Sequence, residues 1–114
     1  MKDDLVYVAH MLDTARSVVA KTHGIDRAVF DADENLRLAV THLIQIIGEA
    51  AARVSDDIRD AHQDIPWRMI VGMRQKIVHD YIHINYDIVW GVATSSVPTL
   101  ITQLEQIASG NADN

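Results

Sequence analysis

Cysteine is absent from the chain. Its absence excludes a disulfide framework and every thiolate-based metal or redox centre, and it fits a reducing compartment. Aromatic residues make up only 5% and glycine occurs five times, so strand and hairpin signals are weak. No apolar run approaches the ~20 residues of a membrane span. The first residues, Met1, Lys2, Asp3 and Asp4, lack the basic start and apolar stretch of a secretory signal. The expected location is the cytoplasm, with no membrane partner. What is present is a globular composition, 48% hydrophobic and 23% charged over 114 residues, enough for one domain with one core.

Basic residues are also few, and they are unevenly spread. The formal net charge is −6, which by itself argues against a general nucleic-acid binder. Residues 1–64 hold seven Lys and Arg against twelve Asp and Glu. Residues 65–79 hold Arg68, Arg74 and Lys76 and no acid, and residues 80–114 hold four acids and no Lys or Arg. All of the positive excess therefore falls within one 15-residue window.

Helical spacing recurs along the chain. Leu5, Val8, Leu12, Ala15 and Val19 form an amphipathic stripe. Asp3 or Asp4 can cap its start and His23-Gly24 can stop it. A second helix is expected from Asp31 to Asp33 onward, with Leu36, Val40, Leu43, Ile47, Ala50 and Val54 facing inward. Ala39 and Ile46 widen that face, so this helix should be central. Ser55-Asp56-Asp57 reads as a stop and a new cap before a short turn from Ile58 to Ala61. Pro66 suits a helix start, and the helix from it should run to about His83–Asn85, where asparagine tolerates a left-handed cap. A last helix is expected from about Asp87, kinked or restarted at Pro98. Gly48 and Gly72 each cost about 1 kcal/mol of helix propensity, and close backbone approach is the expected return. The expected fold class is all-α, an antiparallel bundle of four to five helices. A single domain should cover residues 1–108, with 109–114 a frayed tail.

The cationic window carries the chemistry. Arg74, His79 and Tyr81 stand in an Arg-x4-His-x-Tyr pattern. Arginine binds phosphate through a bidentate fork, and histidine moves a proton near neutral pH. With the RNA 2′-hydroxyl as internal nucleophile, the pair suffices for metal-independent cleavage, arginine stabilising the charge on phosphorus. No cofactor is needed. Geometry sets a condition: on one ideal helix Arg74 and His79 lie ~140° apart, whereas Arg74 and Tyr81 differ by ~20°. Either the helix loosens near His79, or two copies pool their residues across a symmetry axis.

Beyond this pair, the stretch Pro66-Trp67-Arg68, Gly72-Met73-Arg74 and Val78-His79-Asp80-Tyr81 resembles the signature of HEPN domains of the HepT type. Ile46-Ile47-Gly48-Glu49-Ala50-Ala51 and Val97-Pro98 with Leu104-Glu105-Gln106-Ile107 match in register, so the resemblance covers nearly the whole chain. It implies a helical bundle that forms a homodimer with the Arg-x4-His motifs facing one cleft. It implies a metal-independent endoribonuclease acting on RNA as the toxin of a toxin–antitoxin pair. The partner so implied is an MntA-like nucleotidyltransferase antitoxin, which attaches AMP to the motif tyrosine, here Tyr81. His83-Ile84-Asn85 departs from the family pattern, which has a glycine-containing turn after the tyrosine.

Taken alone, Arg74 reads as a surface arginine, His79 as an interface or helix-end histidine, and Tyr81 as a half-buried bundle residue. The resemblance reverses each of these, giving Arg74 and His79 catalytic roles and Tyr81 the modification. Asp80 either orients a histidine or solvates the helix end. Lys76 and Arg68 are solvated or contact RNA. His42, Gln45 and Glu49 form a polar strip in which Glu49 can pair with Arg74 or another base near the site. His79 and His83 have the spacing of a helical metal pair but no carboxylate at ligand spacing, so no metal is assigned. Trp67 and Trp90 are expected as core or dimer-interface anchors. Two other function classes compete with the nuclease: a non-catalytic nucleotide- or RNA-binding accessory subunit, and a structural dimer regulating a partner transferase.

Overall fold

The computed structural model describes residues 2–80 and 83–112, with side chains for 3–78 and 83–110. The described residues are mostly helical, so the class is all-α. The first stripe becomes α1, Lys2–Thr22, and the chain leaves it through Gly24 at φ 78°. Its buried face carries Val8, Met11, Leu12, Ala15 and Val18, while Leu5, expected inside, is 39% exposed.

A short helix, α2, Arg27–Ala32, was not anticipated from the sequence. Asp26 caps it, accepting the Val29 N–H at 3.0 Å, and Phe30 is its buried anchor. The signals lay in Asp26 and in the Arg27–Asp31 spacing, an i,i+4 pair. The central helix follows as expected: α3, Glu34–Ala52, is capped by Asp33, which accepts the Leu36 N–H at 3.0 Å. It packs against α1 and α2 and buries Val40, Ile44, Ile47, Ala50 and Ala51.

The short turn after it is α4, Asp56–Ala61. Ser55 occupies its N-cap but makes no side-chain cap. Its hydroxyl donates to Asp4 Oδ2 at 2.7 Å and its N–H to Asp4 Oδ1 at 2.8 Å. Asp4, expected at the start of α1 as a cap, instead receives both bonds while itself buried. Two cap residues 51 positions apart thus satisfy each other.

The helix expected from Pro66 to about His83 is shorter and broken. It comprises α5, Trp67–Val71, and α6, Met73–Ile77, with Gly72 between them at φ −83°, ψ 3°. From Val78 the backbone is extended: β1, Val78–Asp80, pairs antiparallel with β2, His83–Ile84, with Val78 opposite Ile84 and Asp80 opposite His83. Ile77, Val78 and Ile84 are β-branched, which disfavours helix and suits paired strands. Asn85 is not a left-handed C-cap. It lies at φ −84° and caps the next helix, α7, Tyr86–Gly91, by accepting the Ile88 N–H at 3.2 Å.

The last helical stretch is one path with an irregularity. After α7 come a π-helical segment, Val92–Ser96, and α8, Val97–Ala112. Proline has no N–H to give the carbonyl four residues back. The ladder shifts just ahead of Pro98, with the Val97 N–H donating to the Val92 carbonyl, a π-type bond. The kink or restart expected at Pro98 is this change of pitch. Buried residues from α1, α3, α5, α6, α7 and α8 form one core cluster. No helix of the described residues is long and apolar enough to cross a membrane.

Candidate active site

Three contacts position the cationic window. Trp67 is buried, and its indole N–H donates to the His62 carbonyl at 3.0 Å. Gly48 on α3 forms a notch against α5: a Cβ there would lie 2.8 Å from the Ile70 carbonyl oxygen. This is the close approach expected of Gly48. Gly72 has a different use, since a Cβ on it would meet only the Arg68 and Met69 carbonyls of its own turn. Its place is the junction at which α5 ends and α6 begins. Third, Met73 and Ile77 are buried four residues apart on α6, which leaves Arg74, Gln75 and Lys76 exposed between them.

The Arg-x4-His spacing therefore straddles a change of secondary structure. Arg74 is on α6, and the backbone of His79 and Asp80 is in β1. Val78, at φ −100° and ψ 102°, is where the chain becomes extended. The Asn85 N–H donates to the Ile77 carbonyl at 2.7 Å and ties the far strand back to the end of α6. The ~140° separation of the two residues on one ideal helix does not apply. The helix has ended before His79, the first of the two alternatives the sequence left open. The side chains of His79 and Asp80, and Tyr81 altogether, lie outside the described residues. His79 and His83 stand on different strands, so the helical metal-pair premise does not hold.

Several arginines outside this window are engaged within the protein. Arg16 pairs with Glu105 at 2.9 Å, and Arg27 pairs with Asp31 at 2.7 Å and Asp87 at 2.8 Å. Those carboxylates, Asp31 first, hold Arg27 still more firmly protonated than usual. Arg37 donates to the Asp31 carbonyl and lies over the Tyr86 ring, 5.2 Å from its centroid. Among the described residues, no ion pair or side-chain hydrogen bond engages Arg68, Arg74 or Lys76. Glu49 is exposed on α3 directly after Gly48 and belongs to none of the ion pairs, so the expected pairing with Arg74 is not formed. His42 is exposed and Gln45 half-buried, which makes the polar strip an open edge of α3.

Trp90 lies half-buried with its ring 5.0 Å from Phe30, and Trp67 is the more deeply buried anchor. An apolar groove of about 420 Å³ opens between α3, α5 and α8, lined by Ile44, Ile47, Met69, Ile70 and Leu100. Neither Arg68, Arg74 nor Lys76 lines it, and its one ionisable residue is the acid Asp64. The exposed cations stand instead on α5 and α6. No three His, Asp or Glu side chains among the described residues converge on one point.

A family model described as "Ribonuclease HepT-like" matches residues 11–107, from the middle of α1 through most of α8, including the whole cationic window. The chain belongs to the HepT-like ribonuclease family. It is 33% identical over 107 residues to a Caldanaerobacter subterraneus subsp. tengcongensis protein named "Putative RNase TTE0752", spanning 94% of this chain and 96% of that one. It is 30% identical over 104 residues to "Putative RNase MJ1380" of Methanocaldococcus jannaschii, 91% of this chain and 95% of the relative. It is 31% identical over 78 residues to "Probable ribonuclease HepT" of Thermococcus cleftensis, 68% and 71% of the two chains. No solved structure gives a significant match. Within this HepT-like chain, the exposed Arg74 and the strand that begins at Val78 mark the segment on which the family resemblance had centred.

Proposed function

We propose that this HepT-like chain is a metal-independent RNA endonuclease, the toxin of a toxin–antitoxin pair, in which Arg74 and His79 do the chemistry. The observation that carries the reading is the exposed Arg74, without an ion pair among the described residues, on a helix that ends two residues before His79. An arginine left without a carboxylate keeps its bidentate fork for phosphate. A histidine beyond the helix end is released from the angular constraint that would hold it away from that arginine.

In the proposed reaction, the 2′-oxygen of the RNA attacks the adjacent phosphorus and the P–O5′ bond breaks. His79 takes the 2′-hydroxyl proton, and an imidazolium returns a proton to the leaving 5′-oxygen. Arg74 stabilises the extra negative charge on the pentacoordinate phosphorus. The products are a cyclic phosphate and a 5′-hydroxyl. The bundle works as a homodimer, so that two His79 side chains serve one cleft as base and acid, and the cationic window is presented twice. Lys76 supplies further positive charge, and Asp80 orients the histidine.

Tyr81 shapes the cleft and accepts AMP from an MntA-like nucleotidyltransferase. Added beside Arg74 and His79, an AMP group brings negative charge and bulk to the place where an RNA phosphate would sit. The decisive experiment is RNA cleavage by purified protein. His79→Ala lowers the rate by about 10²–10⁴-fold, the usual worth of a positioned acid–base group. Arg74→Ala lowers it by about 10²–10³-fold, as for loss of one transition-state donor. Cleavage and growth inhibition equal to wild type in both variants would sink the catalytic assignment.

A further inference from the structure

Four arginines elsewhere in the fold are committed to the protein itself: Arg16 and Arg27 to carboxylates, Arg37 and Arg59 to the carbonyls of Asp31 and Ala51. The three cations of α5 and α6 are not. Arg68, Arg74 and Lys76 are all exposed, and the 15 residues that hold them include no acid. Gly72, at φ −83° and ψ 3°, joins α5 to α6, its N–H donating to the Arg68 carbonyl and its carbonyl accepting the Gln75 N–H. Arg68 precedes Arg74 by six positions, roughly 9 Å at a helical rise per residue. That separation suits successive phosphates of a strand better than one phosphate.

We infer that single-stranded RNA runs along the outer face of α5 and α6, with Arg68 and Lys76 each holding a phosphate outside the one taken by Arg74. The inference rests on the ribonuclease reading and adds a binding track to it. The track explains how a chain of net charge −6 holds a polyanion: three exposed cations stand within nine residues that hold no acid, and each phosphate they neutralise releases counterions and adds to the salt dependence. Because Gly48 seats α5 on the central helix and Met73 and Ile77 seat α6 in the core, the track is rigid rather than loop-borne.

The test is the binding of a single-stranded RNA with every 2′-hydroxyl methylated, which removes the nucleophile and so separates binding from cleavage. Affinity is measured from about 50 to about 200 mM salt, over which phosphate contacts are strongly attenuated. Arg68→Gln should reduce the magnitude of the slope of log K on log salt by about 0.7, the single-strand value per contact, and the Arg68→Gln/Lys76→Gln pair by about twice that. Arg68→Lys, which keeps the charge, should keep the slope. Lys21→Gln, an equal loss of charge at the end of α1, should also leave it unchanged.

Slopes in Arg68→Gln and the double variant equal to wild type overturn the track while wild-type cleavage keeps the parent reading. An equal fall in Lys21→Gln overturns it too, since the attraction would then be diffuse. Wild-type protein that neither binds nor cleaves RNA overturns both.

Discussion

Gly48 on α3 and Ile70 on α5 meet backbone to backbone: a Cβ at position 48 would stand 2.8 Å from the Ile70 carbonyl oxygen. That contact sets the helix carrying Arg68, and through Gly72 the helix carrying Arg74, against the middle of the fold. The obstacle is a carbonyl and not the end of a flexible side chain, so α5 itself would have to shift.

Gly48→Ala tests this contact. Alanine adds about 1 kcal/mol of helix propensity, but overpacking a fitted contact costs about 1–3 kcal/mol. We expect net destabilisation of up to about 2 kcal/mol by urea unfolding and a larger loss for Gly48→Val. An alanine variant as stable as wild type would mean that α5 does not sit in this notch.

The link between Asp4 and Ser55 gives a pH dependence with a definite sign. The Ser55 hydroxyl first, and then the Ser55 N–H, hold the buried Asp4 carboxyl below the usual carboxylate range. A depressed pKa contributes stability that is present above the unfolded-state value, about 3.9, and is lost as pH falls through the lower folded value. Asp4→Asn should cost about 1–3 kcal/mol at pH 7, the range for hydrogen bonds to a charged group. The gap between wild type and variant should narrow below about pH 4. Chemical denaturation of both proteins from neutral to acid pH measures it, and a gap that does not change with pH contradicts the assignment.

Asn85 has two tasks within one residue. Its N–H closes onto the Ile77 carbonyl at 2.7 Å, and its side chain caps α7 at the Ile88 N–H, 3.2 Å away. Only the side-chain task is lost in Asn85→Ala, which should cost about 1 kcal/mol, while Asn85→Ser should recover most of it. Equal stability of the alanine and serine variants would show that the cap contributes nothing.

The proposed modification has a mass signature. Intact mass of the chain co-expressed with an MntA-like nucleotidyltransferase should rise in whole AMP units and cleavage should fall, and Tyr81→Phe should show no such increase. An unchanged mass in wild type would remove the modification from the proposal.

Helix positions were legible where local signals agreed. The stripe ending at Gly24, the cap at Asp33, the start near Pro66 and the irregularity ahead of Pro98 all follow from residues adjacent in sequence. The site was legible as a composition, three cations without an acid, more than as a geometry. The length of the helix through it was misjudged, because Ile77 and Val78 fit the apolar face of a helix and a paired strand alike, and periodicity does not separate the two over so few residues. Ser55 does begin α4, but its hydrogen bonds to Asp4 are not legible locally. Each is a sound cap residue alone, and only their meeting across 51 residues diverts both.

By itself, then, the sequence determined the all-α class, the central helix and the one window of positive excess, because propensity, periodicity and charge are properties of neighbouring residues. Only the tertiary structure decided that the window is seated at Gly48 against Ile70 and that its helix ends at Ile77. It also decided that, among the described residues, Arg74 has no ion-pair partner while Arg16 and Arg27 are taken up by Glu105, Asp31 and Asp87. Close backbone approach and ion pairing depend on distances between segments far apart in the chain, which packing alone fixes.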